Sequence, residues 1–200
     1  MERATVVTAS LQVEEQRDHY LEAASLEAGL DEVKSAPTNV GRVELLVRRP
    51  QIDHRESVDS ADVSSAEGMV GDNWKVKGSS SSPDGKSVPA KQLTVMNNRL
   101  ARLVAGGDDR RYLAGDQIYV DLDISKENLP AGTRLAIGTA VVEVSEEPHL
   151  GCKKFEARFG KAAMRFVNSP VGRELRLRGL NARVVVDGTV QVGDEVRKLA

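Results

Sequence analysis

The stretch Arg134-Leu135-Ala136-Ile137-Gly138-Thr139-Ala140-Val141-Val142-Glu143-Val144 sets two short β-prone runs on either side of a Gly-Thr pair. A two-residue connection with glycine between apolar, β-branched segments signals a hairpin. Further along, Arg183–Val186 and Thr189–Val192 flank Asp187-Gly188, which reads as a second hairpin. Toward the N-terminus, Val43–Arg48, Gln92–Val95 and Gln117–Leu122 have the same short, β-rich character. Many short strands with few helices predict a mainly β (α+β) fold, built as an antiparallel barrel or sandwich, because closure hides strand edges.

The segment after the first hairpin carries the chemistry. Cys152 is the single cysteine of 200 residues, so its thiol cannot enter an internal disulfide. Phe155, Phe159, Ala162 and Phe166 follow at spacings of four, three and four, which predicts a helix with one apolar stripe. Cys152 then lies at the helix N-terminus, where orphan N–H groups and the adjacent Lys153 and Lys154 favour an anion such as a thiolate. The other reading of Cys152 is a small buried core residue. On the same helix, Lys154, Arg158, Lys161 and Arg165 share one face. Residues 151–183 hold nine Lys or Arg against Glu156 and Glu174, in a chain whose formal charge is −2. An anionic ligand or an acidic partner offsets the repulsion along such a stripe, and a solvated flank is the simpler alternative.

Upstream of the strands, residues 1–40 read as a helical, acidic N-terminal appendage, with Ser25 as N-cap, Leu26, Leu30 and Val33 facing a core, and Pro37 ending the pattern. Residues 41–200 read as the barrel domain. The Ser/Gly/Pro-rich run within 78–90 predicts a surface loop, either a connection or a cover for a site. Hydrophobic residues at 40% and charged residues at 29% fit a globular chain. No run is long and apolar enough for a membrane span and no signal pattern opens the chain, so a cytoplasmic location is the expectation, with no membrane partner. Glycine-rich phosphate loops, Cys-x-x-Cys and His-Glu-x-x-His are missing, and His19, His54 and His149 are scattered, which argues against a protein-only zinc site. Seven aromatic residues are too few for a base-stacking platform, so no nucleic-acid partner is expected.

Three runs taken in order are more informative than any alone: Gly115-Asp116-Gln117-Ile118-Tyr119-Val120-Asp121-Leu122-Asp123, Glu127-Asn128-Leu129-Pro130-Ala131-Gly132-Thr133-Arg134-Leu135-Ala136-Ile137-Gly138, and Pro148-His149-Leu150-Gly151-Cys152-Lys153-Lys154-Phe155. Together they resemble a MOSC domain, the C-terminal module of molybdenum cofactor sulfurases, over roughly residues 41–199, and Gly68-Met69-Val70-Gly71-Asp72 resembles another landmark of these proteins. The resemblance implies a β-barrel in which Cys152 either carries sulfur from a pyridoxal-phosphate-dependent desulfurase or ligates molybdenum of a bound pterin cofactor. The pterin brings its own dithiolene sulfurs, so one protein thiolate suffices. Pyridoxal phosphate enters only through a partner desulfurase, and a reductase partner is the counterpart for molybdenum-dependent reduction of N-hydroxylated compounds.

Lys154, Arg158, Lys161 and Arg165 are the candidate cofactor contacts, with Asn128 at the Glu-Asn-Leu landmark and Arg48, Arg49 and Asn168 as further polar candidates. Asn73-Trp74 and Gly-Cys-Lys-Lys-Phe depart from patterns found in relatives. The competing function is a non-catalytic β-barrel that binds an anionic small molecule or an acidic protein and uses Cys152 for packing only.

Overall fold

The structure, a computed structural model, describes residues 19–79 and 82–199. In chain order its strands are β1 (Val40–Arg48), β2 (Glu56–Val58), β3 (Ser60–Ser64), β4 (Gly68–Met69), β5 (Leu93–Asn97), β6 (Ile118–Asp121), β7 (Arg134–Ile137), β8 (Ala140–Val144), β9 (Leu180–Val186), β10 (Gly188–Gln191) and β11 (Glu195–Lys198). The helices are α1 (Ala23–Ala28), α2 (Leu30–Lys34), α3 (Trp74–Lys77), α4 (Asn98–Ala105), α5 (Lys153–Asn168) and α6 (Pro170–Glu174).

Seven strands close a barrel in the order β1-β11-β7-β8-β9-β5-β6 and back to β1. The seam is made by residues 40–42 of β1 against 195–197 of β11, while residues 46–48 of β1 pair with β2. All pairings in the barrel are antiparallel except β5 with β6. These two strands are joined through α4, and only such a crossover allows neighbouring strands to run the same way. A small sheet, β10-β3-β4, stands beside the barrel.

The apolar pattern builds two cores. Ile118 and Val120 point into the barrel with Val43, Leu93, Val142 and Val196, while Tyr119, between them, points outward. The outer core holds Tyr119 and Met96 from the strands against Leu100, Phe155 and Phe159 from the helices. β5 and β6 are therefore buried on both faces, as expected for a parallel pair covered by a helix. Asn97 starts α4 by accepting from Leu100 N at 3.1 Å, and Gly106, at φ 70°, ends it in the left-handed conformation.

The first predicted hairpin forms: Ile137 pairs with Ala140 across Gly138-Thr139, with Gly138 at φ 57°. The second does not. β9 pairs with β5 and β8, and β10 leaves to pair with β3. Gly188 is not among the positive-φ glycines that a tight two-residue turn needs, and Asp187 Oδ1 instead accepts from Ser65 N at 2.8 Å, tying the corner to the small sheet. Gly188 serves close packing, since a Cβ there would lie 2.6 Å from the Thr139 carbonyl carbon. Strands β2, β3 and β11 carry no legible pattern, being short and half exposed, and β4 is buried but only two residues long.

The helix after Cys152 also differs from the periodic reading. Gly160 has φ 86° and ψ 167°, which breaks α5 into two helical segments. Phe155 and Phe159 are buried as predicted, with ring centroids 4.9 Å apart. Beyond the break, Ala163 and Val167 are buried instead of Ala162 and Phe166, which are half-buried. The break is filled from the N-terminal segment: Tyr20 packs its ring on Gly160, where a Cβ would be 2.9 Å away, and its hydroxyl donates to Ala157 O at 2.7 Å.

Residues 1–18 of the predicted helical appendage lie outside the described residues. α1 is capped at Glu22, so Ser25 lies inside the helix and not at its start; Leu26 and Val33 are buried in the outer core.

Candidate functional site

A cleft of about 330 Å³ opens where the end of β1, the loop 50–55, α3, the approach to β6 and the start of α5 converge. Its cationic lining is Arg49, Arg55, Lys77, Lys154, Arg158 and Arg178; Cys152 and His149 also line it, and Asp53 is the only carboxylate among the described lining residues. Five chain segments contribute these side chains, which is why no local motif announced the cleft.

Cys152 is exposed and occupies the N-cap position of α5, its carbonyl accepting from Glu156 N at 3.0 Å. That exposure overturns the buried-core reading of the thiol. The segment before it is pinned twice. Asn181 Nδ2 donates to the carbonyls of Glu147 and Pro148, and Asn168 holds both backbone polar groups of Gly151.

The cleft floor is a buried charge network. Arg178, only 6% exposed, donates from Nη1 to Asp116 Oδ2 at 2.5 Å and from Nη2 to Ala114 O at 3.1 Å, and its guanidinium lies 5.0 Å from the centre of the Phe155 ring. His149 Nδ1 faces the other oxygen of Asp116 at 3.3 Å. Burial, reinforced by Arg178 and Arg49, holds the imidazole well below its ordinary pKa, so it is neutral near pH 7. Burial pushes the Asp116 carboxyl up, against the pull of Arg178. Arg49 grips the buried Asp72 through both Nε and Nη2, at 2.8 and 3.0 Å, and reaches Gly115 O with Nη1.

Arg158 and Arg55 form the wall. Arg158 donates to Leu113 O at 3.0 Å, and burial together with the nearby Arg55 draws its pKa down to about 10. Burial likewise lowers Arg55. Among the described residues, five buried side-chain polar atoms lack a hydrogen-bond partner: Arg55 Nε, Asp116 Oδ1, Ser145 Oγ, His149 Nδ1 and Arg178 Nε. Arg55 and Arg178 line the cleft, whereas Asp116 Oδ1 and His149 Nδ1 face each other at 3.3 Å beneath it. Buried donors without partners cost free energy, so the two guanidinium Nε groups of Arg55 and Arg178 mark a site suited to an acceptor-rich anion.

The predicted basic stripe is thus divided. Lys154 and Arg158 line the cleft, whereas Lys161 and Arg165, beyond the Gly160 break, are exposed and do not. Asn128 lies elsewhere: its Nδ2 donates to Thr38 O and Asp123 O, and Lys198 bonds its carbonyl, so it ties a turn to β11. Arg48 pairs with Glu56 outside the cleft. Sequence reasoning missed Arg55, Lys77, His149 and Arg178 as site residues. The run 78–90 supplies none of the described lining, which on that side stops at Lys77. No group of three His, Cys, Asp or Glu among the described residues is arranged to hold a metal ion by itself.

Residues 88–197 match the MOSC domain, and the chain belongs to the MOSC domain family. The matched span includes Cys152, while Gly68–Asp72 lies outside it. Among solved structures, the chain is similar to the YuaD protein from Bacillus subtilis, with a TM-score of 0.59 and 16% identity over 78% of this chain and 94% of that one. It is also similar to YiiM from Escherichia coli, with a TM-score of 0.51 and 15% identity over 80% of this chain and 70% of that one. At such identities the likeness concerns the fold alone. Curated proteins yield no significant match. No helix among the described residues is long and apolar enough to cross a membrane.

Proposed function

We propose that this MOSC protein binds a molybdenum–pterin cofactor in the cationic cleft and that the Cys152 thiolate is the protein's ligand to the metal. The observation that carries this reading is the joining of one exposed thiol to six cationic side chains, two of them with unpartnered buried Nε donors, in a single cleft. The donor set fits the group. Guanidinium forks suit the oxygens of a phosphate, and a soft thiolate suits a metal whose remaining ligands come with the cofactor. When bound, the cofactor supplies two-electron redox chemistry of the kind used to reduce N-hydroxylated compounds.

The chain's own residues do the rest. Arg158, Arg55, Lys154 and Arg178 bind and orient the anion, and the fastened 147–151 segment fixes where Cys152 stands. His149, held neutral by burial, lines the cleft beside the thiol without adding to its charge. Metal and pterin content of protein purified from a cofactor-competent host tests the reading. Near-stoichiometric molybdenum in wild type and its loss in Cys152→Ser are expected.

Sulfur carriage is the second reading, favoured by the exposure of Cys152. Its thiolate attacks the terminal sulfur of a desulfurase persulfide, becomes a persulfide itself and releases the donor thiolate. A mass gain of one sulfur atom at Cys152 after incubation with a cysteine desulfurase and cysteine, without molybdenum uptake, selects it.

A further inference from the structure

Asp53 is placed against the grain of its surroundings. Its backbone lies in the left-handed region at φ 61°, which among the described non-glycine residues only Arg176 shares. That conformation is sterically unfavourable for a residue with a Cβ, though less so for aspartate than for most. From this turn the side chain reaches across to α5, where Oδ1 accepts from Lys154 Nζ at 2.7 Å and lies 3.4 Å from Arg158 Nη2. The hydrogen bond from Lys154, with the charges of Lys154, Arg158 and Arg55, holds its carboxyl below the usual carboxylate range.

One carboxylate, itself 59% exposed, undercompensates that wall. Arg55 has its Nε buried without a partner, and so does the deeply buried Arg178 on the floor. A phosphate group carries close to two negative charges and several strong acceptor oxygens, where a carboxylate carries one charge and two oxygens. It therefore answers more of these donors than Asp53 does, and on a loop whose local backbone is strained the exchange is easily made.

We infer that Asp53 is a placeholder for the phosphate of the bound ligand: its carboxylate holds the anion position on Lys154 and Arg158, and an incoming phosphate group displaces it and frees the loop 50–55. The inference rests on the anion-binding part of the proposed function and not on the chemistry of Cys152. Phosphate binding by Cys152→Ser at wild-type strength therefore keeps it standing even where the metal and sulfur assays fail.

The test is titration of the full chain with inorganic phosphate and with phenyl phosphate, read by calorimetry. Binding of either supports the inference, and the stronger of the two tells whether the free anion or an ester is preferred. Asp53→Asn should bind inorganic phosphate roughly two- to fivefold tighter, the size of an exposed ion pair. Glu56→Gln makes the same charge change outside the cleft and should leave the affinity as it was, while Arg158→Gln should weaken it. Amide hydrogen exchange of residues 51–54 should accelerate in wild type when phosphate binds. Binding of neither probe overturns the inference, as do an Asp53→Asn affinity that is unchanged or lower, an equal gain from Glu56→Gln, or slower exchange in the loop.

Discussion

Asn168 clasps Gly151 by both of its backbone polar groups: Oδ1 accepts from Gly151 N at 2.9 Å and Nδ2 donates to Gly151 O at 3.1 Å. Seventeen residues separate the two, so the end of α5 fixes the residue that precedes its own start. The asparagine expected to contact a ligand thus acts on the backbone that presents the thiol. Space is tight as well, since a Cβ on Gly151 would lie 2.8 Å from Met164 Sδ. Asn168→Ala should cost about 1–3 kcal/mol, the usual range for leaving partly buried polar groups unpaired. The same variant should alter the rate at which iodoacetamide alkylates Cys152. Denaturant unfolding and alkylation kinetics check the two halves separately.

Arg178 and Asp116 form the buried pair under the cleft. Removing one partner leaves a charge stranded away from water, so Arg178→Met should destabilise by roughly 3–5 kcal/mol. Arg178→Met combined with Asp116→Asn should recover part of that loss. A double variant no more stable than the single one would show that Asp116 is satisfied without the arginine.

His149 sets a pH dependence. Its folded pKa is depressed below the 6.5 of a free imidazole, so between the two values the unfolded chain binds a proton that the folded chain refuses. The stability contributed by the neutral ring is complete above about pH 6.5 and falls as pH drops below it, by up to about 1.4 kcal/mol per pH unit. Subtracting the profile of His149→Gln isolates this component from the opposing titration of Asp116. A difference curve flat between pH 6.5 and 5 would rule out the depressed value.

Cys152 is exposed, so its truncation removes little packing. Cys152→Ser and Cys152→Ala should each change stability by at most about 1 kcal/mol while abolishing molybdenum retention or sulfur loading. Loss of several kcal/mol in both variants, measured by thermal unfolding, would contradict the exposed placement.

The N-terminal helices lie on the outer core through Leu26 and Val33, and Arg99 bonds Glu32 O and Ser35 Oγ at their end. The barrel interior receives nothing from them. A chain beginning at residue 37 should therefore still unfold cooperatively, at a lower midpoint, in circular dichroism melts.

The sequence made some of this legible for definite physical reasons. Gly138 sits at a turn whose flanking strands pair with each other, so local alternation was enough. Gly188 has the same local context, but its neighbours pair with distant strands, β9 with β8 and β5 and β10 with β3, and no local pattern encodes that choice. Likewise Phe155 and Phe159 followed helical periodicity until Gly160, where the ring of Tyr20 rewards a break that periodicity cannot register. Lys154 and Arg158 were within reach of a helical wheel, whereas Arg55 and Arg178 join them only after the barrel closes. An isolated arginine in a strand-rich chain carries no sign of its destination.

The seam between β1 and β11 has a consequence for synthesis. The first and last strands of the barrel are neighbours, so a nascent chain leaving the ribosome cannot close the ring until residues 195–198 have emerged. Until then β1 holds an open edge, and contacts of such wide sequence separation form late and slowly. Strand β2 covers only residues 46–48, so residues 40–42 keep their open edge until the last strand is made.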